Sequence, residues 1–450
     1  MMIMEAFKAY DIRGKWGVDL NTEMVYRIGY FYNQVFQVKS VLVGRDVRLS
    51  SEEMFQALCD GLRFAGVDVY DAGITTTPMN YWGNGKYEFD GSIMITASHN
   101  PKEYNGLKFS GPNVSPIGYT DGLDRLESLV AGSEPVIPRL QGSLYQKDYS
   151  AAYLQFLEQY KQDYSALNLA IDCSNGMAGL FAQQLFGSKV RYLNLQPDGR
   201  FPAHEPNPLE AENREEIEKA VAAFSCDAGV IFDGDADRVM FIDEKSRFIS
   251  PDLIIALLGN YFFGQRHETG RVVQDIRTSK AVAEYLHRYN VEVDIWRVGR
   301  AFGATKLKEL EGIYGGELAG HYYFRDFYYS DSGLLAALLV LNIVLEAKAN
   351  GQTFSQLIDE ISAYANTGEV NFKIKEKEQA MEAVVDYFNA HEPPEKLLDF
   401  DGYRLEFPDW WFNIRPSNTE PYLRFLAEAK SAKLLKKKTE IIYKILKKFK

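Results

Sequence analysis

Short apolar segments alternate with amphipathic helical segments in three successive stretches of this chain, and each stretch ends in a polar loop. In the first stretch the pattern predicts strands at residues 40–43 and 67–70 around a helix at 50–65, which begins with a capping box of Ser50 and Glu53. A further strand is predicted at 91–96, and the second stretch is predicted to include a helix near 177–186 and a strand at 229–232. Strands that alternate with helices favour mixed or parallel sheets, whose ligands gather beyond the strand ends. The polar loops that end the three stretches are residues 97–101, 233–238 and 316–321.

Charge and cysteine content limit the partners and the compartment. The formal net charge of −12 repels nucleic acids and anionic membranes, so we expect neither as a partner, and a bound anion must meet a local positive cluster. Cys59, Cys173 and Cys226 lie in apolar runs, which predicts buried free thiols and a cytoplasmic location. The N-terminus lacks the pattern of a signal peptide, and the longest apolar run, residues 334–344, is too short to span a bilayer.

Three aspartates alternate in the second polar loop. Asp233, Asp235 and Asp237 can turn their carboxylates toward one point, which is typical of a divalent cation site. A turn whose aspartates cap backbone amides is the alternative. An EF-hand calcium loop is excluded because Arg238 stands where that loop needs glycine, and the flanking segments are predicted strands rather than helices. Magnesium, which keeps coordination positions open for a phosphate, is the expected ion.

The first polar loop places a serine directly after an apolar strand. Ser98, with His99 beside it and Pro101 stiffening the loop, can act as a nucleophile or a phosphate carrier. The alternative is an ordinary turn serine bonded to its own loop. Lys108 offers a point charge for a phosphate or a proton donor, unless it is merely solvated.

A third group of polar residues lies near the C-terminus. Arg415, Ser417, Asn418 and Thr419 combine a guanidinium fork with hydroxyl and amide donors, which predicts an anion cradle, with a polar turn as the alternative. The lysine-rich segment 433–450 interleaves apolar residues, which indicates an amphipathic helix with solvated lysines rather than a nucleic-acid patch.

In this order the loops resemble the α-D-phosphohexomutase family, specifically its phosphomannomutase/phosphoglucomutase branch. The matching segments span the chain and are residues 10–14, 96–101, 233–238, 316–321 and 415–421. The resemblance implies four domains around one central cleft. Three consecutive mixed α/β domains would occupy residues 1–150, 151–251 and 252–366 and carry the phosphoserine, metal-binding and sugar-binding loops. An α+β domain at 367–450, reached through a linker at 365–369, would carry the phosphate-binding loop.

The resemblance also implies a reaction and a role for each matching residue. Phosphate would move between the 1- and 6-positions of a hexose phosphate through Ser98 and a hexose 1,6-bisphosphate, which also serves as activator. Ser98 and the three aspartates would hold Mg²⁺. The implied catalytic residues are Ser98, His99, Lys108, Arg13, Arg238 and His321, with Arg13 and His321 as proton-transfer partners. The implied substrate-binding residues are Tyr10, Arg277, Arg300, Glu317, Ala319, His321, Arg415, Ser417, Asn418 and Thr419.

Two departures from the family pattern leave the sugar open. Ala319 stands where the branch usually has serine, and Arg300 stands where many relatives have histidine. Mannose and glucose phosphates are the expected substrates, with a phosphoglucosamine mutase as the alternative. A sugar phosphatase and a non-catalytic sugar-phosphate sensor are alternatives of other classes, although a sensor would be expected to have lost Ser98 or an aspartate. The protein is expected to be a monomer or a homodimer.

Overall fold

Four β-sheets organise the part of the chain that the computed structural model describes, which is residues 5–136, 141–361, 364–417 and 422–449. The first three sheets are mixed and follow one another along the chain, and the last is antiparallel. The predicted fold class, three mixed α/β domains followed by an α+β domain, is therefore confirmed.

The first domain builds a seven-stranded sheet in the order β1-β5-β4-β2-β3-β7, with β6 paired to β5. Its strands are β1 Ile12–Lys15, β2 Ser40–Arg45, β3 Asp68–Ile74, β4 Gly91–Ile95, β5 Tyr104–Ser110, β6 Pro116–Ile117 and β7 Leu144–Gln146. Its helices are α1 Thr22–Phe36, α2 Ser51–Phe64, α3 Thr77–Tyr87 and α4 Leu123–Gly132. Strands β2, β3 and β4 run parallel, whereas β5 runs antiparallel to β4.

The second domain has a five-stranded sheet in the order β12-β11-β10-β8-β9. Its strands are β8 Leu169–Asp172, β9 Arg191–Leu193, β10 Ala228–Phe232, β11 Val239–Asp243 and β12 Phe248–Ile249, and its helices are α5 Ser150–Glu158, α6 Ala182–Phe186 and α7 Ala211–Ala223.

The third domain repeats this strand order as β14-β13-β15-β16-β17. Its strands are β13 Arg271–Asp275, β14 Glu292–Trp296, β15 Tyr314–Gly316, β16 Tyr322–Phe324 and β17 Ser330–Asp331. Its helices are α8 Pro251–Gly259, α9 Lys280–Leu286, α10 Arg300–Glu309, α11 Gly333–Ala349 and α12 Phe354–Ile361. Each α/β domain thus joins a strand of its parallel part to an antiparallel neighbour, as β4 to β5, β10 to β11 and β15 to β16.

The fourth domain pairs a six-stranded antiparallel sheet with two helices. The sheet runs β18-β23-β22-β21-β20, with β19 paired to β23. Its strands are β18 Ala365–Asn366, β19 Val370–Phe372, β20 Lys396–Leu398, β21 Tyr403–Glu406, β22 Trp410–Pro416 and β23 Leu423–Ala429, and its helices are α13 Lys377–His391 and α14 Ala432–Leu446. Two residues of the expected linker, Ala365–Asn366, therefore belong to this sheet. The predicted amphipathic C-terminal helix is α14, which buries Leu435 and Ile442 in the core of the domain.

The buried apolar residues form clusters that do not coincide with the four domains. One cluster runs from the first domain through the second and third, whereas the fourth domain has a cluster of its own, from Phe372 to Leu446. Helix α11 lies in the shared cluster, and its residues 334–341 are buried on every side. Among the described residues no single helix satisfies the length and hydropathy required to cross a membrane; only α11 and α12 together do so, and they are bent by 106° at their junction.

Two predicted local features are wrong. Ser50 lies in the helical region of backbone space and makes no side-chain cap; its hydroxyl accepts a hydrogen bond from Asn105 instead, at 2.9 Å. Glu53, the other half of the predicted capping box, accepts from Thr22. The helix expected at residues 177–186 breaks at Phe181 into a 3₁₀ turn and the short α6.

Candidate active site

The three polar loops of the α/β domains meet one another in space. Each loop follows the strand that pairs with an antiparallel neighbour, so the shared strand order of the domains delivers all three to the same side. Gly234 lies directly on the serine loop, because a Cβ atom added there would come within 2.5 Å of the Ser98 carbonyl oxygen. Arg238 and His321 form a backbone bridge that joins the second loop to the third.

Ser98 lies buried at the junction of the first two domains. Its backbone has a φ of 51°, a left-handed conformation that costs energy for a residue other than glycine and is found preferentially at functional sites. Its amide donates to Thr96 Oγ1 at 2.9 Å, and its Oγ donates to Asp233 Oδ2 at 2.8 Å. His99 Nδ1 lies 3.4 Å from the same Oγ. The serine hydroxyl therefore points at the aspartate loop.

The serine loop is fixed from below by Arg48, which the sequence analysis did not identify. Its guanidinium donates to four backbone carbonyls, those of Ser98, Asn100, Pro101 and Tyr104, at 2.7 to 3.0 Å. Arg48 is itself buried and pairs with Asp46. The loop's shape thus depends on one arginine outside the motif.

The three aspartates of the second loop are fully buried and close together. Oxygen atoms of Asp233, Asp235 and Asp237 all lie within 4.8 Å of one another. Burial, and then the charges of the other two aspartates, raise the pKa of Asp233 well above its usual value. Oδ1 of Asp235 and Oδ1 of Asp237 are buried without a hydrogen-bond partner. Crowded hard oxygen donors with unsatisfied atoms fit a divalent cation.

Lys108 provides a positive charge beside these carboxylates. It lies on β5 opposite Met94, and its Nζ is 2.7 Å from Asp235 Oδ2 and 2.5 Å from Asp237 Oδ2. Burial opposes its charge, but the two aspartates raise the pKa of Lys108 above its ordinary value. Lys108 is therefore a permanent cation here.

His321, from the third loop, contacts Arg238 with one ring nitrogen and Asp331 with the other. Arg238 Nε donates to His321 Nε2 at 2.9 Å, and because a guanidinium can only donate, that nitrogen must accept. The ring proton then resides on Nδ1, which lies 2.6 Å from Asp331 Oδ2. Burial opposes the charge of Asp331, but Arg300 and His321 lower its pKa to about 2. Asp331 thus fixes the tautomer of His321, a role the sequence analysis missed because no motif surrounds it.

Arg300 lies on the far side of Asp331. Its Nε donates to Asp331 Oδ1 at 3.0 Å, and its guanidinium lies 3.8 Å from the centre of the Tyr81 ring. This arginine, one of the two departures from the family pattern, therefore belongs to the same chain of contacts as His321.

Glu317 lies buried at the start of the third loop. Its Oε1 accepts a short hydrogen bond from Tyr323, and its Oε2 lies 3.9 Å from the Arg277 guanidinium. Burial raises the pKa of Glu317. Arg277 is held chiefly by Asp275, at 2.8 Å, and Ala319 is half-buried two residues after Glu317.

Arg13 lies beside the serine loop and His99 lies within it, and only Arg13 carries a charge. Arg13 lies on β1, donates to Asn100 Oδ1 at 2.9 Å and pairs with Asp11. Burial, followed by the charges of Arg238, Arg13 and Lys108, holds the pKa of His99 well below its usual value. His99 is therefore neutral near pH 7.

The fourth domain contributes Arg415 at the end of β22. It is buried and pairs with Asp401, while Ser417 continues the segment, with its amide donating to the Tyr422 carbonyl at 2.9 Å. Tyr10, from the first domain, contacts the third domain, where its hydroxyl donates to the Val298 carbonyl at 3.0 Å. Asn418 and Thr419 of the predicted cradle lie outside the described residues.

The geometry assembles a buried serine hydroxyl, three carboxylates and several fixed cations from three domains. Cations that surround a nucleophile in a buried site stabilise an anion in transfer, which is what phosphoryl transfer requires. Of the predicted residues, Ser98, His99, Lys108, Arg13, Arg238, His321 and the three aspartates lie in one connected network.

Comparison with known proteins gives the same assignment for every domain. Family models of phosphoglucomutase/phosphomannomutase match the chain as alpha/beta/alpha domain I at residues 4–133, domain II at 147–246, domain III at 250–364 and the C-terminal domain at 369–444. A phosphomannomutase of Salmonella montevideo is 35% identical over 98% of this chain and 99% of its own length. A phosphomannomutase of Methanocaldococcus jannaschii is 33% identical over 98% and 97%.

A solved structure also matches over nearly the whole chain. A phosphoglucomutase/phosphomannomutase family protein from Burkholderia thailandensis superimposes with a TM-score of 0.89 at 29% identity, covering 99% of this chain and 98% of its own. The chain therefore belongs to the phosphoglucomutase/phosphomannomutase family and is a phosphohexomutase.

Proposed function

We propose that this enzyme interconverts the 1-phosphates and 6-phosphates of mannose and glucose by carrying phosphate on Ser98. The contact of Ser98 Oγ with Asp233, 2.8 Å away in a buried cluster of carboxylates and cations, is the observation that carries the proposal. A turn serine without a chemical role does not need a left-handed backbone or an arginine that binds four carbonyls beneath it.

The reaction consists of two phosphoryl transfers between Ser98 and the sugar, and neither transfer consumes water. In the first, the bond from phosphorus to Ser98 Oγ breaks and a bond to a sugar hydroxyl oxygen forms, giving a hexose 1,6-bisphosphate. The hydroxyl proton passes to a base, for which His321 is proposed: Asp331 holds the proton on Nδ1, and Nε2 can accept once Arg238 Nε, which donates to it in this structure, turns to the phosphate. After the sugar turns over in the site, the bond from its other phosphorus to the sugar oxygen breaks, a bond to Ser98 Oγ forms, and the proton returns to the released sugar oxygen.

The positive groups around Ser98 stabilise the transferring phosphate. Lys108 contacts Asp235 and Asp237, and Arg238 Nε donates to His321, so both charges are fixed before the substrate arrives. His99, neutral and next to Ser98, adds a hydrogen-bonding group without adding charge.

Asp233, Asp235 and Asp237 are the residues that would hold Mg²⁺, together with the phosphate on Ser98. The unpartnered Oδ1 atoms of Asp235 and Asp237 support this assignment. The ion would neutralise phosphate charge and shape the site for in-line transfer. The second acidic group near the site, Asp237, His321 and Asp331, is less suited, because both oxygens of Asp331 already accept hydrogen bonds.

The sugar preference follows from the third loop. Glu317 is the proposed holder of the C3 and C4 hydroxyls, which the turnover of the intermediate brings to similar places. Ala319 adds no polar contact, so the C2 group, at which glucose and mannose differ, has no dedicated partner in this loop. We expect kcat/KM for glucose and mannose 1-phosphates to agree within roughly tenfold and to exceed that for glucosamine 1-phosphate. A hundredfold preference for glucosamine 1-phosphate would instead indicate a phosphoglucosamine mutase.

Detection of phosphate on Ser98 and the activity of a Ser98 variant are the decisive tests of this proposal. Peptide mass spectrometry of the purified protein is expected to find phosphate on Ser98, and Ser98→Ala is expected to lose turnover by at least a thousandfold with the bisphosphate activator present. Ser110→Ala is the matched control, since it removes another buried serine hydroxyl of the same domain. Near-normal turnover by Ser98→Ala would rule out the carrier role. Release of inorganic phosphate at the rate of substrate loss would identify a phosphatase.

A further inference from the structure

Asp401 connects the phosphate-binding segment of the fourth domain to the third domain. One carboxylate oxygen, Oδ1, accepts from both Nε and Nη2 of Arg415, at 3.1 and 2.9 Å. The other, Oδ2, accepts from the backbone amide of Val298 at 2.8 Å. Only 10% of the Asp401 side chain and 3% of the Arg415 side chain are exposed. Each oxygen of this carboxylate therefore holds a different domain.

The backbone fixes Asp401 in this position. Gly402, the next residue, has a φ of 68°, and a Cβ atom there would come within 2.4 Å of the Ile414 carbonyl and 2.5 Å of Arg415 Cβ. The turn consequently lies flat on the strand that carries Arg415, and only glycine permits this approach. Phe400, on the other side of Asp401, packs on the Trp296 ring at a centroid distance of 5.4 Å.

The bond to Asp401 leaves part of the Arg415 guanidinium for a ligand. A guanidinium has five N–H donors, and Asp401 takes one from Nε and one from Nη2. The edge formed by Nη1 and Nη2 keeps its donors in the fork that matches two phosphate oxygens. A second carboxylate at this edge would compete with phosphate, whereas Asp401 binds the opposite edge.

Val298 extends the connection to the first domain. Its amide donates to Asp401, and its carbonyl accepts from the Tyr10 hydroxyl at 3.0 Å. Tyr10, Val298, Asp401 and Arg415 thus form a continuous chain of hydrogen bonds across three domains.

We propose that Asp401 is a positioning residue for phosphate binding: it sets the orientation of the Arg415 fork and fixes it relative to the third domain. This inference rests on the proposed function, in which Arg415 binds the phosphate that is not reacting. Because that phosphate is held in both orientations of the sugar, Asp401 affects the binding of 1-phosphate and 6-phosphate alike.

Asp401→Asn tests the inference with little change in size. The amide keeps an acceptor for Val298 but loses the charge that orients Arg415. We expect KM to rise about tenfold for both the 1-phosphate and the 6-phosphate, with kcat within about twofold, since uniform binding is lost. The affinity for inorganic phosphate as a competitive inhibitor should fall by the same factor. Asp399→Asn, two residues earlier and exposed, makes the same change in charge and should alter neither constant.

Arg415→Ala separates the failure of this inference from the failure of the proposed function. If Arg415→Ala raises KM and Asp401→Asn does not, Asp401 does not position the fork, whereas the proposed function stands. If Arg415→Ala leaves KM unchanged, the phosphate assignment itself is wrong. A fall in kcat at constant KM in Asp401→Asn would make Asp401 merely structural and overturn the inference. Should Asp401→Asn fold poorly, Asp401→Glu provides a second test, because it keeps the charge but displaces it by one methylene. We expect a smaller increase in KM for both the 1-phosphate and the 6-phosphate. An unchanged KM in Asp401→Glu would overturn the inference.

Discussion

The ammonium of Lys108 contacts Asp235 and Asp237, which are two of the three carboxylates that would also hold the metal ion. Two of the three buried carboxylates contact its ammonium, yet each keeps one oxygen that has no hydrogen-bond partner among the described residues. One lysine therefore offsets only part of the negative charge of this loop, and a phosphate on Ser98 would add more. At the scale of single residues, the remaining charge supports the proposal that a divalent ion binds here.

Removal of the metal should stop the enzyme. In excess chelator we expect turnover to fall at least a hundredfold and to return with added Mg²⁺, because the carboxylates then face the phosphate without a neutralising ion. Calorimetric titration should show Mg²⁺ binding lost in Asp235→Asn and retained in Asp331→Asn. Full activity in chelator, or loss of binding only in Asp331→Asn, would refute the assignment of the ion to the aspartate loop.

Tyr323 should be important for sugar binding through Glu317. Its hydroxyl donates to Glu317 Oε1, which favours the charged carboxylate against the effect of burial. Tyr323→Phe removes that donor, so the pKa of Glu317 should rise further. We expect kcat/KM at pH 7 to fall about tenfold, mainly through KM, and the acid limb of the pH profile to move to higher pH.

Tyr322→Phe provides the control for this change. Tyr322 is also buried, but its hydroxyl donates to the Pro251 carbonyl at 3.1 Å, so its loss should not change KM. Equal KM increases in the two variants would mean that the effect of Tyr323→Phe is a general loss of packing.

Single residues were predictable from sequence where their neighbours in the chain carry the signal. Asp233, Asp235 and Asp237 cluster because they alternate within one loop, so their proximity needs no knowledge of the fold. Asp331 and Asp401 carry no such signal, since Asp331 meets His321 only when β16 and β17 pair, and Asp401 meets Val298 only after the third and fourth domains pack.

Arg48 determines the shape of the serine loop, the eight residues 96–103 between β4 and β5. Four carbonyls bind its two terminal nitrogens, and a lysine has one ammonium that cannot reach them all. Arg48→Lys should destabilise the protein by about 2–4 kcal/mol, because buried carbonyls lose their donors, and should lower kcat more than tenfold.

Thermal unfolding and steady-state kinetics measure the two effects of Arg48→Lys. Arg200→Lys is the control, because the Arg200 side chain is 70% exposed and pairs with Asp198 at the surface. Unchanged kcat in Arg48→Lys would mean that the serine loop keeps its shape without the guanidinium.

The observed strands and helices agree with the sequence prediction where the apolar periodicity is strong. They differ from it where tertiary contacts compete with the local pattern. The strands before the first two loops, predicted at residues 91–96 and 229–232, match β4 and β10 within one residue at each end, whereas β15, before the third loop, was not predicted. The capping box failed because Asn105 of β5 takes the Ser50 hydroxyl, a contact that sequence spacing does not reveal. The 177–186 helix failed because its first turn is 3₁₀, and the Met177 amide donates to the Gly234 carbonyl of the aspartate loop.

A contact between the third and fourth domains contains a carboxyl group whose pKa lies near neutrality. Glu428 of β23 accepts from Ser279 Oγ at 2.6 Å and from Trp411 Nε1 at 2.8 Å. Burial and then Asp252 raise the pKa of Glu428 to about 7, although Ser279, Trp411 and Arg404 oppose the shift. The folded protein thus binds a proton here that the unfolded chain, with its lower glutamate pKa, releases earlier as pH rises.

Loss of the proton from Glu428 lowers the free energy of unfolding as pH rises. The contribution is fully present below the unfolded glutamate pKa, about 4.5, and is lost as pH rises through about 7, by up to about 3 kcal/mol. Glu428→Gln keeps the acceptor without the charge, so its unfolding midpoint should exceed that of the wild type at pH 8 and match it near pH 5. The exposed Glu382→Gln should follow the wild type at both pH values. A wild-type midpoint equal to that of Glu428→Gln at pH 8 would exclude an effect of this carboxylate.

Helix α11 imposes an order on how the protein is made. The helix belongs to the third domain, yet its buried residues share a cluster with Val230 and Phe232 of β10 and with Phe241 of β11 in the second. A ribosome completes these strands about 100 residues before it completes the helix, which at roughly 5–20 residues per second is a delay of about 5–20 s. Throughout that interval the nascent second domain exposes apolar surface that only later sequence covers. Protection of that surface by a chaperone, rather than the stability of the finished enzyme, would then limit the yield of active protein during rapid synthesis.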